Sequence, residues 1–178
     1  MVNVEELDIA GVKLISLERY SDQRGWINES WRDSWSEQIG MSGRFVQDML
    51  SWNDHAYTLR GMHTLTVDQY KLVSVVNGCI FDVVVDARKN SATYGKYLSV
   101  ELSVSNSHML LVPPGCYHGY LTLEPNTAVA YKVSCYHTAE TDSGIAWNDP
   151  NVNIPWPLNG HIPIVSTRDQ NHPLLKDL

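Results

Sequence analysis

Apolar and polar positions alternate with a period of two through the middle of the chain. In Leu98-Ser99-Val100-Glu101-Leu102-Ser103, three apolar residues fall on one side and three polar residues on the other, the pattern of a half-buried strand. Between Cys79 and Asp86, Phe81, Val83 and Val85 share one face while Asp82, Val84 and Asp86 share the other, so both faces carry valine. An apolar segment from Lys71 to Val76 precedes it, and the Asn77-Gly78 pair between the two predicts a hairpin closed by a two-residue turn. Further strands are expected at Met109 to Val112, Tyr120 to Leu123 and Val129 to Val133, each bounded by Pro, Gly, Asn or Ser clusters. Helical periodicity is weak: Ser34 to Ile39 suits one or two turns, and the C-terminal stretch another. Pro150, Pro155, Pro157, Pro163 and Pro173 make the last part of the chain an irregular wrap. Short strands at near-regular spacing predict an all-β sandwich or barrel, and without a repeat, linker or low-complexity segment a single domain over 1–178 is expected.

Composition narrows the picture. With 178 residues, 43% of them apolar, the chain can bury a sizeable core without disulfides or a structural metal. No window approaches the roughly 20 apolar residues of a membrane-spanning helix. The start, Met1-Val2-Asn3-Val4-Glu5-Glu6, lacks the basic-then-apolar form of a signal peptide, so a soluble, cytoplasmic protein is expected. A net charge of −7 without a lysine or arginine run excludes the electrostatic footprint of a nucleic-acid binder. Cys79, Cys116 and Cys135 form no Cys-x-x-Cys and read as free thiols in a reducing compartment.

Candidate chemistry gathers at strand ends. Arg60-Gly61-Met62-His63 precedes the first strong strand pair and Gln69-Tyr70-Lys71 opens it, which puts a base and a cation near one barrel mouth. Pro113-Pro114-Gly115-Cys116-Tyr117-His118-Gly119 reads as a rigid turn that sets a second histidine between strands. Tyr131 lies in a later strand, and Arg168-Asp169 in the proline-rich wrap. Singly, each has a plainer role: His63 as a satisfied core or surface group, Lys71 as an edge-strand charge, Tyr131 as packing, Asp169 as a turn anchor. Because Thr64-Leu65 follows His63, the His-x-His spacing of metal-binding cupins is absent, and no metal or other cofactor is expected. No Gly-rich loop leads from a strand into a helix, so phosphates would be held by arginine forks, with Arg24, Arg60 and Arg168 the candidates.

The ordered series Asp22-Gln23-Arg24-Gly25-Trp26, Phe45-Val46-Gln47-Asp48, Arg60-Gly61-Met62-His63, Gln69-Tyr70-Lys71, Phe81-Asp82-Val83-Val84-Val85-Asp86-Ala87-Arg88, Pro113 to Tyr120, Tyr131-Lys132, Gly144 to Pro150 and Ser166-Thr167-Arg168-Asp169 resembles the dTDP-4-dehydrorhamnose 3,5-epimerase family. The resemblance implies a cupin-type double-stranded β-helix, or jelly-roll barrel, with short peripheral helices, a homodimer with strand exchange, and a metal-free site inside the barrel. It also implies a nucleotide-diphospho-4-keto sugar as substrate, whose C4 ketone acidifies the protons at C3 and C5, and a place in surface-polysaccharide supply (capsule or lipopolysaccharide). Carried over by position, His63 is the base, Asp169 its partner, Lys71 the donor to the C4 oxyanion and Tyr131 the acid on the far face. His118 orients the sugar, and Arg24, Arg60 and Arg168 contact the diphosphate, with Arg24 reaching in from the other subunit. Glu29 and Gln47 resemble further substrate-contacting positions.

The chain departs from the family pattern at Trp26 (commonly Phe), Met49 (Asn), Tyr70 (Gly) and His137 (Tyr). Since a larger platform such as Trp26 can stack a purine, these departures lead to the expectation of a GDP-linked 4-keto-heptose or 6-deoxyhexose. The competing readings are the dTDP-4-dehydrorhamnose enzyme itself, an epimerase of C3 or C5 alone, a sugar 3,4-ketoisomerase, and a non-catalytic nucleotide-sugar-binding cupin.

Overall fold

The computed structural model describes residues 2–178; Met1, the first residue of the N-terminal segment read above, lies outside them. Two antiparallel sheets face each other. The strands are β1 (Asn3–Glu6), β2 (Lys13–Ser16), β3 (Tyr20–Asp22), β4 (Gly25–Ile27), β5 (Gln47–Asn53), β6 (Thr58–Leu65), β7 (Lys71–Asn77), β8 (Cys79–Asp86), β9 (Tyr97–Ser103), β10 (His108–Val112), β11 (Cys116–Thr122), β12 (Thr127–Val133), β13 (Asp142–Gly144) and β14 (Ile164–Val165). The first sheet runs β1-β2-β10-β7-β12-β5 and the second β13-β6-β11-β8-β9, with β14 added in parallel to β6; β3 and β4 form a separate hairpin. This is the cupin-like jelly roll expected from the resemblance. A short helix α1 (Trp35–Gln38) and two 3-10 turns, Asp169–Asn171 and Leu175–Asp177, complete it.

Alternation sorts the apolar side chains into three cores. Ile80 and Val84 of β8 meet Val73 and Val75 of β7, Leu110 and Val112 of β10, and Val129 of β12 between the sheets. The opposite face of β8 sends Val83 and Val85 outward, where Met62, Tyr117, Ile145, Val152 and Leu175 cover them. Leu72, Met109 and Leu111 leave the other sheet on its outer side and are roofed by Ile39, Met41, Trp31 and Phe45. Valine on both faces of β8 thus reflects burial on both faces. The proline-rich wrap is pinned to the second sheet's outer face by the Asp149 carboxylate, which accepts the backbone N–H groups of Asn151 and Leu175 at 2.8 Å each.

Three local expectations change. β7 and β8 do not pair: β7 lies between β10 and β12, and β8 between β11 and β9, so Asn77-Gly78 carries the chain from one sheet to the other. Only Gly78 of the two has positive φ (+80°), which excludes a turn with both residues left-handed. Arg60 to His63 lie within β6 rather than before a strand, and His118 sits in mid-strand on β11, the turn ending at Gly115.

The reason β6 escapes a period-two reading is a bulge. His118 pairs with His63 and Tyr120 with Arg60, so the single residue Gly119 faces both Gly61 and Met62. The extra residue shifts the alternation by one, which turns Arg60 and His63 to the same side and sends Met62 into the outer core. Such an approach admits no side chain: a Cβ on Gly119 would lie 2.6 Å from Met62 Sδ and 2.8 Å from the Arg60 carbonyl oxygen. Gly119→Ala is therefore expected to lower stability by about 1–3 kcal/mol, read as a lower urea midpoint at unchanged slope; a parental midpoint would show that the bulge yields freely.

Candidate functional site

At one end of the space between the sheets, the inner core gives way to a cavity of about 650 Å³, within the range of small-molecule sites. Lys71 and Tyr131 enter it from β7 and β12 of the first sheet, and Arg60, His63 and His118 from β6 and β11 of the second. Asp169 closes it from the wrap. These inward positions follow from strand parity: Lys71 shares a face with Val73 and Val75, and His118 with Cys116 and Tyr120.

His63 and Asp169 form a pair with His63 Nε2 2.8 Å from Asp169 Oδ1. The other carboxylate oxygen accepts the Gly61 N–H at the bulge, 3.1 Å away, and the Asp169 N–H donates to Ser166 Oγ. Burial pushes the Asp169 carboxyl up, but the hydrogen bonds from His63 and Gly61 outweigh it and hold the group below the usual carboxylate range. An ionised carboxylate only accepts, so Nε2 of neutral His63 carries the proton and Nδ1 the lone pair. With 31% of its side chain exposed, His63 is the member of the pair open to the cavity.

A second pair lies deeper. His118 Nε2 stands 2.7 Å from Asp82 Oδ1, with side-chain exposures of 4% and 0%. Burial lowers the His118 pKa, Asp82 opposes that shift, and Lys71 and His63 add to it. The Tyr131 ring meets His118 edge-on, centroids 6.2 Å apart. Burial, followed by neighbouring Tyr120 and Asp82, raises the Tyr131 hydroxyl well above its ordinary pKa, so it stays protonated as a donor. Lys71 makes no hydrogen bond or ion pair among the described residues; burial brings its pKa down to about 8 against the pull of Asp82 and Asp142.

At the mouth, Asp142 joins two predicted residues: its Oδ2 accepts from Arg168 at 2.6 Å and lies 3.2 Å from His137 Nε2. Gln47 does not line the cavity but accepts the His137 backbone N–H at 2.9 Å. Arg60 is braced by its Nε on Asn53 Oδ1 at 2.8 Å. Arg24, Trp26 and Glu29 stand outside the cavity. Arg24 forks onto Asp22, Glu29 pairs with Arg32, and Arg19 lies over the Trp26 ring at 4.1 Å. Sequence reasoning passed over Asp82, Asp142 and Tyr120. Asp82 did carry a signal: a carboxylate in a valine strand requires a buried partner. Asp142 carried none.

Two histidines, two carboxylates, a desolvated ammonium and a protonated phenol around one closed cavity define an acid–base enzyme built on a jelly roll. The sequence pattern of the dTDP-4-dehydrorhamnose 3,5-epimerases matches residues 6–177. The dTDP-4-dehydrorhamnose 3,5-epimerase of Sinorhizobium fredii is 39% identical over 98% of this chain and 90% of its own. The crystal structure of the Bacillus anthracis enzyme with TDP and PPi bound superposes with a TM-score of 0.93 at 40% identity, covering 98% of this chain and 99% of that one. That of the Legionella pneumophila enzyme with dTDP-4-keto-L-rhamnose gives 0.94 at 36%, covering 99% and 94%. The chain belongs to the dTDP-4-dehydrorhamnose 3,5-epimerase family, and it is an isomerase that acts on nucleotide 4-keto sugars.

The Lys71 shift has a measurable consequence for stability. A cation whose folded pKa is depressed opposes folding; that cost is fully present below about 8 and is relieved as pH rises toward the ordinary 10.5. Lys71→Met is expected to raise the urea midpoint at pH 7, with the gain shrinking between pH 8 and 10.5; a destabilised variant at pH 7 would show that the ammonium is stabilised by the cavity.

Proposed function

We propose that the enzyme inverts both C3 and C5 of a dTDP-linked 4-keto-6-deoxy sugar, the substrate of dTDP-4-dehydrorhamnose 3,5-epimerase. The observation that carries this is the placement of His63 and Tyr131 on opposing sheets of one cavity, with Lys71 beside Tyr131's strand. His63 Nδ1 removes the proton α to the ketone, and Asp169 stabilises the imidazolium through Nε2. The Lys71 ammonium meets the enolate oxygen at C4, where a desolvated cation lowers the barrier by several kcal/mol. Tyr131 returns a proton from the opposite face. His118, held by Asp82, positions the sugar, and Arg60 and Arg168 take the diphosphate.

The thymidine assignment replaces the guanosine expectation. The matched relatives are named for dTDP sugars, and the Bacillus anthracis and Legionella pneumophila structures hold TDP and a dTDP sugar, respectively, whereas neither favours GDP. No helix among the described residues is long and apolar enough to cross a membrane. Unpaired cysteines at 79, 116 and 135 agree with a cytoplasmic site of action, where sugars for surface polysaccharide are made.

A homodimer completes the reading. The β3–β4 hairpin exposes Tyr20, Trp26 and Ile27 by 56%, 47% and 70%, and Arg24 is 85% exposed at its tip. Docked on a second copy, this hairpin buries its apolar residues and delivers Arg24 to the partner's diphosphate site.

Proton NMR in deuterated water with separate dTDP- and GDP-linked 4-keto sugars tests the reaction and the nucleotide together. Loss of both the C3 and C5 signals is expected with dTDP, at least tenfold faster than with GDP; equal rates would remove the nucleotide assignment, and loss at one carbon the double inversion. His63→Ala is expected to abolish exchange, and Tyr131→Phe to keep exchange while slowing inversion. Parental exchange in the first or parental inversion in the second would relocate the base or the acid.

Light scattering on the eluting protein is expected to give twice the chain mass. Mixing inactive His63→Ala with inactive Arg24→Ala should restore partial activity through mixed dimers; no recovery would place Arg24 outside the partner's site.

A further inference from the structure

We propose that His63, Asp169 and His172 form a binding site for a first-row divalent transition ion of the zinc class, and that an ion there shuts off proton transfer. The sequence argument against a metal rested on the missing His-x-His. The fold supplies the second histidine from the wrap instead. One ring nitrogen each of His63 and His172 and one carboxylate oxygen of Asp169 all lie within 4.8 Å of one another. His63 and Asp169 are 2.8 Å apart, and His172 Nε2 lies 3.6 Å from the same Asp169 oxygen. Ligands at about 2.0–2.2 Å from zinc stand roughly 3.3 Å from each other in a tetrahedral site, so both histidines already stand near ligand spacing from Asp169, and side-chain rotation has only to close the two imidazoles on each other from within 4.8 Å.

His172 brings the independent observation. Its side chain is 12% exposed, and its Nε2 is buried without a hydrogen-bond partner among the described residues. A buried imidazole nitrogen left unpaired is costly, and a cation shared with Asp169 satisfies it. The ring is also held in place. It lies flat on Gly144, where a Cβ would come within 2.3 Å of the ring, and Gly144 is the register partner of His63 on the neighbouring strand. His172 and His63 therefore meet edge-on, ring centroids 5.6 Å apart. Asp169 is oriented by Gly61 N–H, the outer support a metal-binding carboxylate requires. Three protein ligands beside a cavity leave the fourth position open to water or substrate oxygen.

On binding, the Nε2 proton of His63 moves through solvent to Nδ1, the freed Nε2 lone pair goes to the ion, the lone pair that would take a substrate proton is thereby used up, and the ion's charge offsets that of the Asp169 carboxylate. The base is then fixed to the ion and loses the partner that stabilises its imidazolium. A nitrogen-rich set of this kind takes Zn²⁺, Co²⁺ or Ni²⁺ and ignores Mg²⁺ and Ca²⁺. The binding half stands on geometry alone; the inhibitory half rests on the function proposed above.

Calorimetry of chelator-treated protein with zinc chloride is expected to show one ion per chain, with no heat from magnesium chloride. His172→Gln, which keeps polar bulk over Gly144, and His172→Ala are expected to weaken zinc at least tenfold while melting cooperatively. Cobalt chloride is expected to give the visible absorption of a four-coordinate ion in the parent and not in the variants. Zinc affinity unchanged in both variants, or no zinc bound by the parent, overturns the site. In the exchange assay with chelator the His172 variants are expected to match the parent, and added zinc to inhibit the parent at least tenfold more than either variant. Zinc that binds through His172 without slowing exchange overturns the inhibition alone. A parent with no exchange even under chelator overturns the proposed function, and calorimetry still decides the site.

Discussion

One carboxylate with two committed oxygens sets the geometry of this enzyme. Asp169 Oδ1 holds His63 and Oδ2 holds the N–H of Gly61, two residues back on the same strand. The His63 imidazole and the β6 backbone are thereby locked to a single side chain that comes from the far end of the chain. The wrap that delivers Asp169 has little regular structure to stiffen it, so its position depends on the outer core into which Val152 and Leu175 pack. Met62 belongs to that same core and is the residue next to His63. The bulge therefore does two things in adjacent residues: it anchors the wrap with the Met62 side chain and aims the His63 imidazole into the cavity.

The two His–Asp pairs show how burial divides labour between identical groups. His118 and Asp82 are sealed between the sheets, where proton release to solvent has no path and a second carboxylate oxygen stays without a partner. His63 keeps nearly a third of its side chain open to the cavity while its carboxylate is buried. An imidazole with a free lone pair and an open face can take a proton; one closed on every side can only orient. Lys71 adds a half-buried cation that burial has already made easier to deprotonate. Its desolvation costs stability in the free enzyme, and in the proposed reaction an anionic enolate recovers that cost.

Legibility followed locality. Strands β8, β9, β10 and β12 show through because their alternation is set by residues two apart, and the short helix near residue 35 and the wrap follow from composition. β6 stayed hidden because its bulge shifts the alternation midway, and β5 because its outward face carries Leu50 and Trp52, 66% and 52% exposed. Asn77-Gly78 was read as a hairpin since the local turn chemistry is shared with a corner between sheets; which strands pair is decided by contacts distant in sequence. The same limit applies at the site. Residues 63, 71, 131 and 169 come together through three separate elements and the wrap, which no spacing encodes, and their roles came from resemblance. Asp142 and His172 had neither pattern nor resemblance to mark them.

The departures from the family pattern carry different weight once placed. Strand parity decides one outright: Lys71 points inward, so Tyr70 points outward and packs on the outer core beside Trp31 and Phe45. It cannot touch a base bound in the cavity. Trp26 sits on an exposed hairpin outside the cavity, so within one chain it does not bear on the nucleotide. Met49 lines the cavity, and His137 lines its mouth with its ring on Asp142 and its N–H on Gln47. Of the four substitutions, two face the substrate within one chain, and neither supplies a donor pair that would select guanine over thymine. A purine preference inferred from four changes thus shrinks to a change of side-chain volume beside Met49 and of hydrogen bonding at His137. The side chains proposed for proton transfer, in contrast, converge from both sheets and the wrap, so their meeting is fixed by the fold, whereas Met49 and His137 stand where only side-chain volume and hydrogen bonding at the cavity change.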